Sequence, residues 1–403
     1  MSANEGTGAA TKGVGRAADR AAPPRRIRDV DALRGFALLG ILLVNVQVMA
    51  GPYADLGARP GASSADTAVA WLVTALVSGK FYLLFSFLFG YSFTLQARSA
   101  AREGVAFGPR HLRRLLCLFA LGLAHAVLLF PGDILMTYAV LGLVLFAARG
   151  MAPRTALRVA GLLTVALGVL LLGRGLLALV APAGPVPQHS AVAHTAAAYL
   201  GDPASVVQAN LGQWRGMLAG DLLFAPHLLA AFLVGLAAGN HQVLADPGPS
   251  RSQLTRLLRY GLPVGLVGGV VEALCRNGPL GARWSDIGLA VGVLTAPALA
   301  AAYAGGLLLV LRTGRGAALR IGDALAPAGR MALTNYLTQS LAMALVFTGY
   351  GLGLYGRIGA VAVLAGCLAL YAAQLALSGW LLRRVRYGPV EWLVHTATRG
   401  RRG

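Results

Sequence analysis

RDVDALRGFALLGILLVNVQ, residues Arg28 to Gln47, opens with an acidic and a basic residue, Asp31 and Arg34, and then runs apolar as far as Asn45. At ~1.5 Å per helical residue this run covers about the ~30 Å hydrocarbon core of a bilayer. Asp31, Arg34, Leu38, Ile41 and Asn45 recur at alternating spacings of three and four, so a helix places them on one stripe. Polar groups are costly in lipid, and a stripe carrying them should face protein or water. The stretch reads as a first transmembrane helix that forms one wall of a polar site.

Composition extends that reading to the whole chain. Hydrophobic residues make up 57% of the 403 positions and charged residues 12%, against the roughly 25% charged of an ordinary soluble domain. With repeated long apolar runs, the class is a polytopic membrane protein. The formal charge of +20 would point to nucleic acid in a soluble chain. Here the arginines concentrate in short loops between apolar runs, which excludes a nucleic-acid partner and makes anionic lipid headgroups the expected one. Cys117, Cys275 and Cys367 each lie inside an apolar run and read as small packed residues, not as a disulfide framework or a metal site.

The runs suggest an all-α bundle of about ten spans with both termini in the cytoplasm. Residues 1–24 are rich in Ala, Gly and small polar residues and are expected to be a disordered tail. The competing reading is a signal peptide cleaved at Val48-Met49-Ala50, for which the polar leader and the apolar run are both too long. The membrane domain is expected over residues 25–395. Its spans fall at about 28–47, 80–95, 115–130, 133–146, 156–181, 221–238, 257–275, 287–311, 331–347 and 358–382. An interfacial helix is expected over 67–77, outer loop or interfacial helices over 182–220, and a basic cytoplasmic tail over 396–403. Pro131-Gly132 marks a tight turn between the third and fourth spans. With this threading 28 of the 35 Lys and Arg fall on one side, and the bias has the same sign at every pair of loops. No internal repeat is evident, which weighs against an inverted-repeat transporter.

Two polar groups follow from the threading. An inner one holds Asp31 and Arg34 with Arg330, Asn335, Tyr336, Gln339 and Ser340. An outer one holds Asn45, Lys80, Tyr82, His125, Asp133, Asp221, His227 and Glu272. Each has a plain structural alternative. Asp31 and Arg34 can be an ion pair at spacing three, and Asp133 and Asp221 can cap helices. Lys80 and Glu272 can snorkel. His125 sits between Ala124 and Ala126 within a span, where a titratable group is a functional candidate or an interhelical hydrogen-bonding group. Metalloprotease, phosphate-loop and nucleophile-elbow motifs do not occur.

Five stretches together resemble the YeiB family of bacterial inner-membrane proteins. They are DVDALRGFALLGILLVNV (Asp29–Val46), KFYLLFSFLFGYSF (Lys80–Phe93), RRLLCLFALGLAHAVLLFPGDILMTYAVLGL (Arg113–Leu143), GRMALTNYLTQSLAMALVFTGYGLGLYG (Gly329–Gly356) and RYGPVEWL (Arg386–Leu393). The resemblance implies a bacterial plasma-membrane location and a relationship to transmembrane acyltransferases, including the type that acetylates glucosamine at heparan termini from acetyl-CoA. The shared pattern is Asp-x-x-Arg-Gly, here Asp31, Arg34 and Gly35, with Asn45 near the far end of the span. Heparan-type enzymes carry their basic histidine in the loop after that Asn, and residues 46–66 of this chain hold no histidine.

The leading expectation is therefore acyl transfer from an acyl-CoA to an envelope or small-molecule acceptor. His125 would be the general base and Asp133 would orient it, with Asn45 and Lys80 stabilising the oxyanion. Arg34, Arg113 and Arg114 would meet the donor's phosphates. Asp31, Arg330, Asn335, Tyr336 and Gln339 complete the substrate-binding set, and no metal ligand is expected. Two other readings stay open: a transporter or lipid/solute permeation protein using the same buried groups, and a scaffold in which they only hold helices together.

Overall fold

A computed structural model describes residues 25–52, 61–181, 189–245, 248–314 and 316–399, and every extended regular element among them is helical. The expected tail 1–24, residues 400–403 of the basic tail and 182–188 of the outer segment lie outside the described residues. In chain order the helices are α1 (Arg25–Met49), α2 (Ser64–Leu76), α3 (Lys80–Arg102), α4 (Phe107–Leu128), α5 (Leu135–Ala147), α6 (Pro153–Val180) and α7 (His189–Leu200). They continue with α8 (Pro203–Asn240), α9 (Arg251–Asn277), α10 (Ser285–Arg312), α11 (Gly316–Arg330), α12 (Ala332–Phe347), α13 (Ala360–Arg384) and α14 (Pro389–Arg399).

Eight helical stretches are long and apolar enough to cross a membrane: α1, the joined α2–α3, α4, α6, α8, α9, α10 and α13. Large apolar side chains such as Leu162, Val169, Leu177 and Val180 of α6 stand exposed on the outside, a surface that only lipid would cover. The chain is an all-α polytopic membrane bundle.

Two of the ten expected spans are short helices. α5 has 13 residues and α12 has 16. Asp133 is not the first residue of its helix: it stands in the turn and accepts the Met136 N–H at 2.9 Å, so α5 starts later. Ahead of α12 the backbone breaks at Met331, and residues 316–330, read as a loop from their arginines, form α11. α2 also starts earlier than expected. Ser63 accepts from Asp66 N at 3.1 Å and Asp66 accepts from Ser63 N at 3.0 Å, a reciprocal capping box. In the outer segment only α7 is a separate helix. From Pro203, capped by Asp202, the chain runs through residue 220 without interruption into the sixth span, a 38-residue helix of roughly 57 Å at ~1.5 Å per residue.

α1 and α11 cross backbone against backbone. A methyl group at Gly329 would overlap the carbonyl oxygen of Asp31, and one at Gly35 would overlap that of Leu325. The two backbones therefore touch, as small residues permit in membrane bundles. Arg28 pairs with Asp323 at 2.5 Å at one end of the contact, and the Tyr371 hydroxyl of α13 donates to the Gly35 carbonyl at 2.7 Å at the other.

This contact generates a stability prediction. Gly329→Val should lower the melting temperature of the detergent-purified protein by several degrees, because backbone on both sides of the crossing must move. Gly161→Ala, on α6 with open space around it, should leave stability unchanged or raise it by up to about 1 kcal/mol. Equal melting temperatures for Gly329→Val and the parent would remove the crossing from its structural role.

Candidate functional site

A cavity of about 390 Å³ is enclosed by α1, α3, α4, α5, α12 and α14. Helical periodicity brings its walls together. α3 contributes Phe85, Phe89, Ser92 and Gln96, and α4 contributes Phe107, Arg110, His111, Arg114 and Leu118, each set stepping by three or four residues along one face. α1 adds Arg34 and Ile41 from the polar stripe, α5 adds Leu135 and Tyr138, and α12 adds Leu333 and Tyr336.

The two ends of the cavity differ in chemistry. At the end where α4 begins stand Arg34, Arg110, Arg114 and Arg330. Arg34 donates to Asp31 at 2.8 Å and to the Ser92 hydroxyl. Arg114 donates to Gln96 at 2.8 Å and lies over the Phe89 ring. Arg330 donates to the carbonyl of Arg386 at 3.1 Å, and Arg110 pairs with Glu103 at 3.0 Å. Among the described residues one acid lines the cavity, Glu391 of α14, and it is committed elsewhere. It accepts from Leu333 N, Thr334 N and the Thr334 hydroxyl at 2.7, 2.9 and 2.5 Å, closing the start of α12. The mouth is thus rich in arginine: Arg34 and Arg110 are paired with carboxylates, while Arg114 and Arg330 bond to neutral groups.

The deep end is aromatic and apolar, formed by Phe85, Ile134, Leu135, Tyr138 and Tyr336. Immediately behind it, His125 Nδ1 and Asp133 Oδ1 are 2.8 Å apart and both side chains are buried. Where the carboxylate accepts, Nδ1 donates, and in the neutral imidazole of that tautomer Nε2 carries the lone pair. That Nε2 is buried without a hydrogen-bond partner, and the ring centroid of the buried Tyr336 lies 5.0 Å from that of His125. Asp133 thus fixes the imidazole and caps α5 at the same time.

Other candidates lie apart from this arrangement. Lys80 is fully buried against Glu272 at 2.9 Å and the Thr74 carbonyl at 3.1 Å, and Glu272 also holds Arg276 at 3.3 Å. Asn335 and Gln339 turn toward α13. Asn335 Nδ2 donates to Ala328 O and the Ser378 hydroxyl, Gln339 Nε2 donates to Gln374 Oε1 at 2.8 Å, and Gln374 Nε2 returns to Asn335 O at 3.0 Å. Asn45 is half-buried beyond the cavity lining, and Arg113 is exposed and turned about 100° around α4 from Arg114, outside the lining. Tyr82 meets His227 at 3.3 Å and Asp221 accepts from Thr137 at 3.2 Å.

Arg110, His111, Gln96, Ser92 and the whole of α14 were not anticipated in the cavity. The first four carried a signal, since they share the stripes of Arg114 and Phe89. His111 is buried among Phe93, Phe107 and Phe146.

Fold and cavity together define a polytopic helical membrane protein with an internal cavity whose mouth is cationic. Residues 238–401 match the family described as Protein of unknown function (DUF418). The chain is 32% identical over 396 residues to Uncharacterized protein YxaH of Bacillus subtilis (strain 168), covering 93% of this chain and 94% of that one. It is 29% identical to Uncharacterized protein YeiB of Escherichia coli (strain K12), covering 90% of this chain and 94% of YeiB. A similar match, 29% over 95% of this chain and 97% of the relative, is to an uncharacterized 39.9 kDa protein in the amylase 3' region of Bacillus acidopullulyticus. The chain belongs to the YeiB family, a family of unknown function that carries this domain.

The Lys80–Glu272 pair gives a test that separates structural from ligand-facing groups. Lys80→Met should cost about 3 kcal/mol, the low end for breaking a buried ion pair because Arg276 still holds the Glu272 carboxylate, and adding Glu272→Met should recover most of the loss. Unfolding curves of the single and double variants check this. A double variant as unstable as the single would mean that the two charges do not depend on each other.

Proposed function

We propose that this protein is a membrane-embedded acyltransferase that takes an acyl-CoA from the arginine-rich side, which the positive-inside rule makes cytoplasmic. The observation that carries the reading is the cavity itself. It runs from Arg34, Arg110, Arg114 and Arg330 to Tyr336 and Ile134, directly beside a His125–Asp133 pair whose Nε2 is unpartnered. Arginine forks suit phosphate oxygens, and an aromatic, mostly apolar channel suits a pantetheine arm with its thioester.

The chemistry then needs few parts. The acceptor's hydroxyl or amine gives its proton to His125 Nε2 while its oxygen or nitrogen attacks the thioester carbonyl. Asp133 stays ionised and stabilises the imidazolium through Nδ1–H. In this reading the Tyr336 hydroxyl donates to the oxyanion of the tetrahedral intermediate. The carbon–sulfur bond breaks, and the CoA thiolate leaves with the proton held on Nε2. The acceptor is an envelope or small-molecule nucleophile. Lys80, Asn335 and Gln339 take no part in this sequence, and their bonds hold the walls.

The test uses the purified full chain with acyl-CoA labelled in its acyl group. Acetyl-CoA should raise the melting temperature where adenosine nucleotides alone do not, since a ligand that binds only the native state stabilises it. Arg114→Gln and Arg330→Ala should weaken that shift. His125→Ala should keep the shift and lose about 10²–10⁴-fold of acyl transfer or CoA release. Undiminished transfer by folded His125→Ala would overturn the base. Absence of any acyl-CoA shift, with gradient-driven solute uptake into proteoliposomes and no acylated product, would replace the enzyme with a carrier.

A further inference from the structure

A second concavity shares no lining residue with the cavity above. It is an open groove of about 970 Å³ between the end of α8, the first half of α9 and α10. That volume is at the top of the range for small-molecule sites, about 300–1,000 Å³. Its upper part is polar, with Gln253 and Arg256, and its lower part is apolar, with Tyr260, Val264, Ala298 and Ala301. Arg256, Tyr260 and Val264 are exposed, so the groove opens outward from the bundle.

Three properties identify what would lie there. The first is charge: Arg251, Arg256 and Arg259 crowd the start of α9, the first turn of α9 holds no acid, and no acid lines the groove among the described residues. The Gln253 carbonyl oxygen accepts the Ser250 N–H at 2.7 Å, which leaves its amide NH2 to donate outward. The second is depth: Gln253 to Val264 spans roughly 16 Å of helix at ~1.5 Å per residue, and one leaflet's share of the ~30 Å hydrocarbon core is about 15 Å. The third is shape: Gly261 brings α9 against the backbone of α10, where a methyl group would lie 2.6 Å from the Ala298 carbonyl oxygen, so the apolar floor is narrow and smooth.

We propose that this groove binds one anionic phospholipid of the leaflet on the arginine-rich side. Arg256 and Gln253 hold its phosphate, and its acyl chains lie along Tyr260, Val264, Ala298 and Ala301. A basic pocket between membrane helices at the cytoplasmic interface is the setting in which anionic headgroups are retained. The site is independent of the acyltransferase reading, because none of its groups enters that chemistry.

Native mass spectrometry of the detergent-purified full chain tests it, with phosphatidylglycerol and phosphatidylcholine of identical acyl chains added in equal amounts. One phosphatidylglycerol should be retained in preference to phosphatidylcholine. Arg256→Ala should cut its occupancy about fivefold. Arg158→Ala, which removes an exposed arginine of α6 outside the groove, should not. Ala301→Trp, which fills the floor, should abolish retention. Equal retention of the two lipids would overturn the proposal, as would equal losses in the Arg256 and Arg158 variants. Displacement of the lipid by inorganic phosphate at millimolar concentration, regardless of acyl-chain length, would also overturn it by showing a free-anion site.

Discussion

The contact on which the site depends is the meeting of two backbones, α1 at Gly35 and α11 at Gly329. Hydrophobic burial cannot drive helices together inside lipid, since lipid tails are as apolar as leucine. What remains is close packing and hydrogen bonding, and close packing requires that no side chain stand in the way. At this crossing Asp31, Arg34 and Arg330 are the immediate neighbours of the glycines, so the contact that holds α1 to α11 also brings two arginines to the mouth of one cavity. The hydroxyl of Tyr371 then ties α13 to the Gly35 carbonyl, and α13 in turn carries Gln374 and Ser378, the partners of Gln339 and Asn335.

Much of this was legible in the residues because membrane spans are written in long apolar runs. The stripe from Asp31 to Ile41 does turn inward, and His125 with Asp133 stands where the turn at Pro131-Gly132 brings the ends of two helices together. The places where the reading stopped have physical reasons. A capping box at Ser63 and Asp66 is a local signal that was passed over within a polar loop. α11 is short and carries arginines, so its mean hydropathy is too low for a span, although its apolar and polar residues separate onto two helical faces. α8 joins polar and apolar segments without a break, whereas a hydropathy boundary suggests two elements. Which face of a short helix meets ligand and which meets its neighbour is decided by tertiary partners. Asn335, Tyr336 and Gln339 look alike in sequence, yet two bond to α13 and the third lines the cavity.

The fate of hydrogen-bonding capacity sorts these buried polar groups better than their positions do. A group that serves only to hold helices has its donors and acceptors met by protein, because an unmet one costs free energy in a dry interior. Lys80 with Glu272 and Asn335 with Ser378 satisfy that description. The buried Nε2 of His125 has no such partner among the described residues. His111 and Tyr336 line the cavity, and His125 lies against Tyr336. An unmet ring nitrogen beside a cavity with an arginine-rich mouth is a group that a ligand can still engage. That is why the acyl-transfer reading rests on His125 and not on Lys80 or Asn335, whose bonding capacity is spent on neighbouring helices.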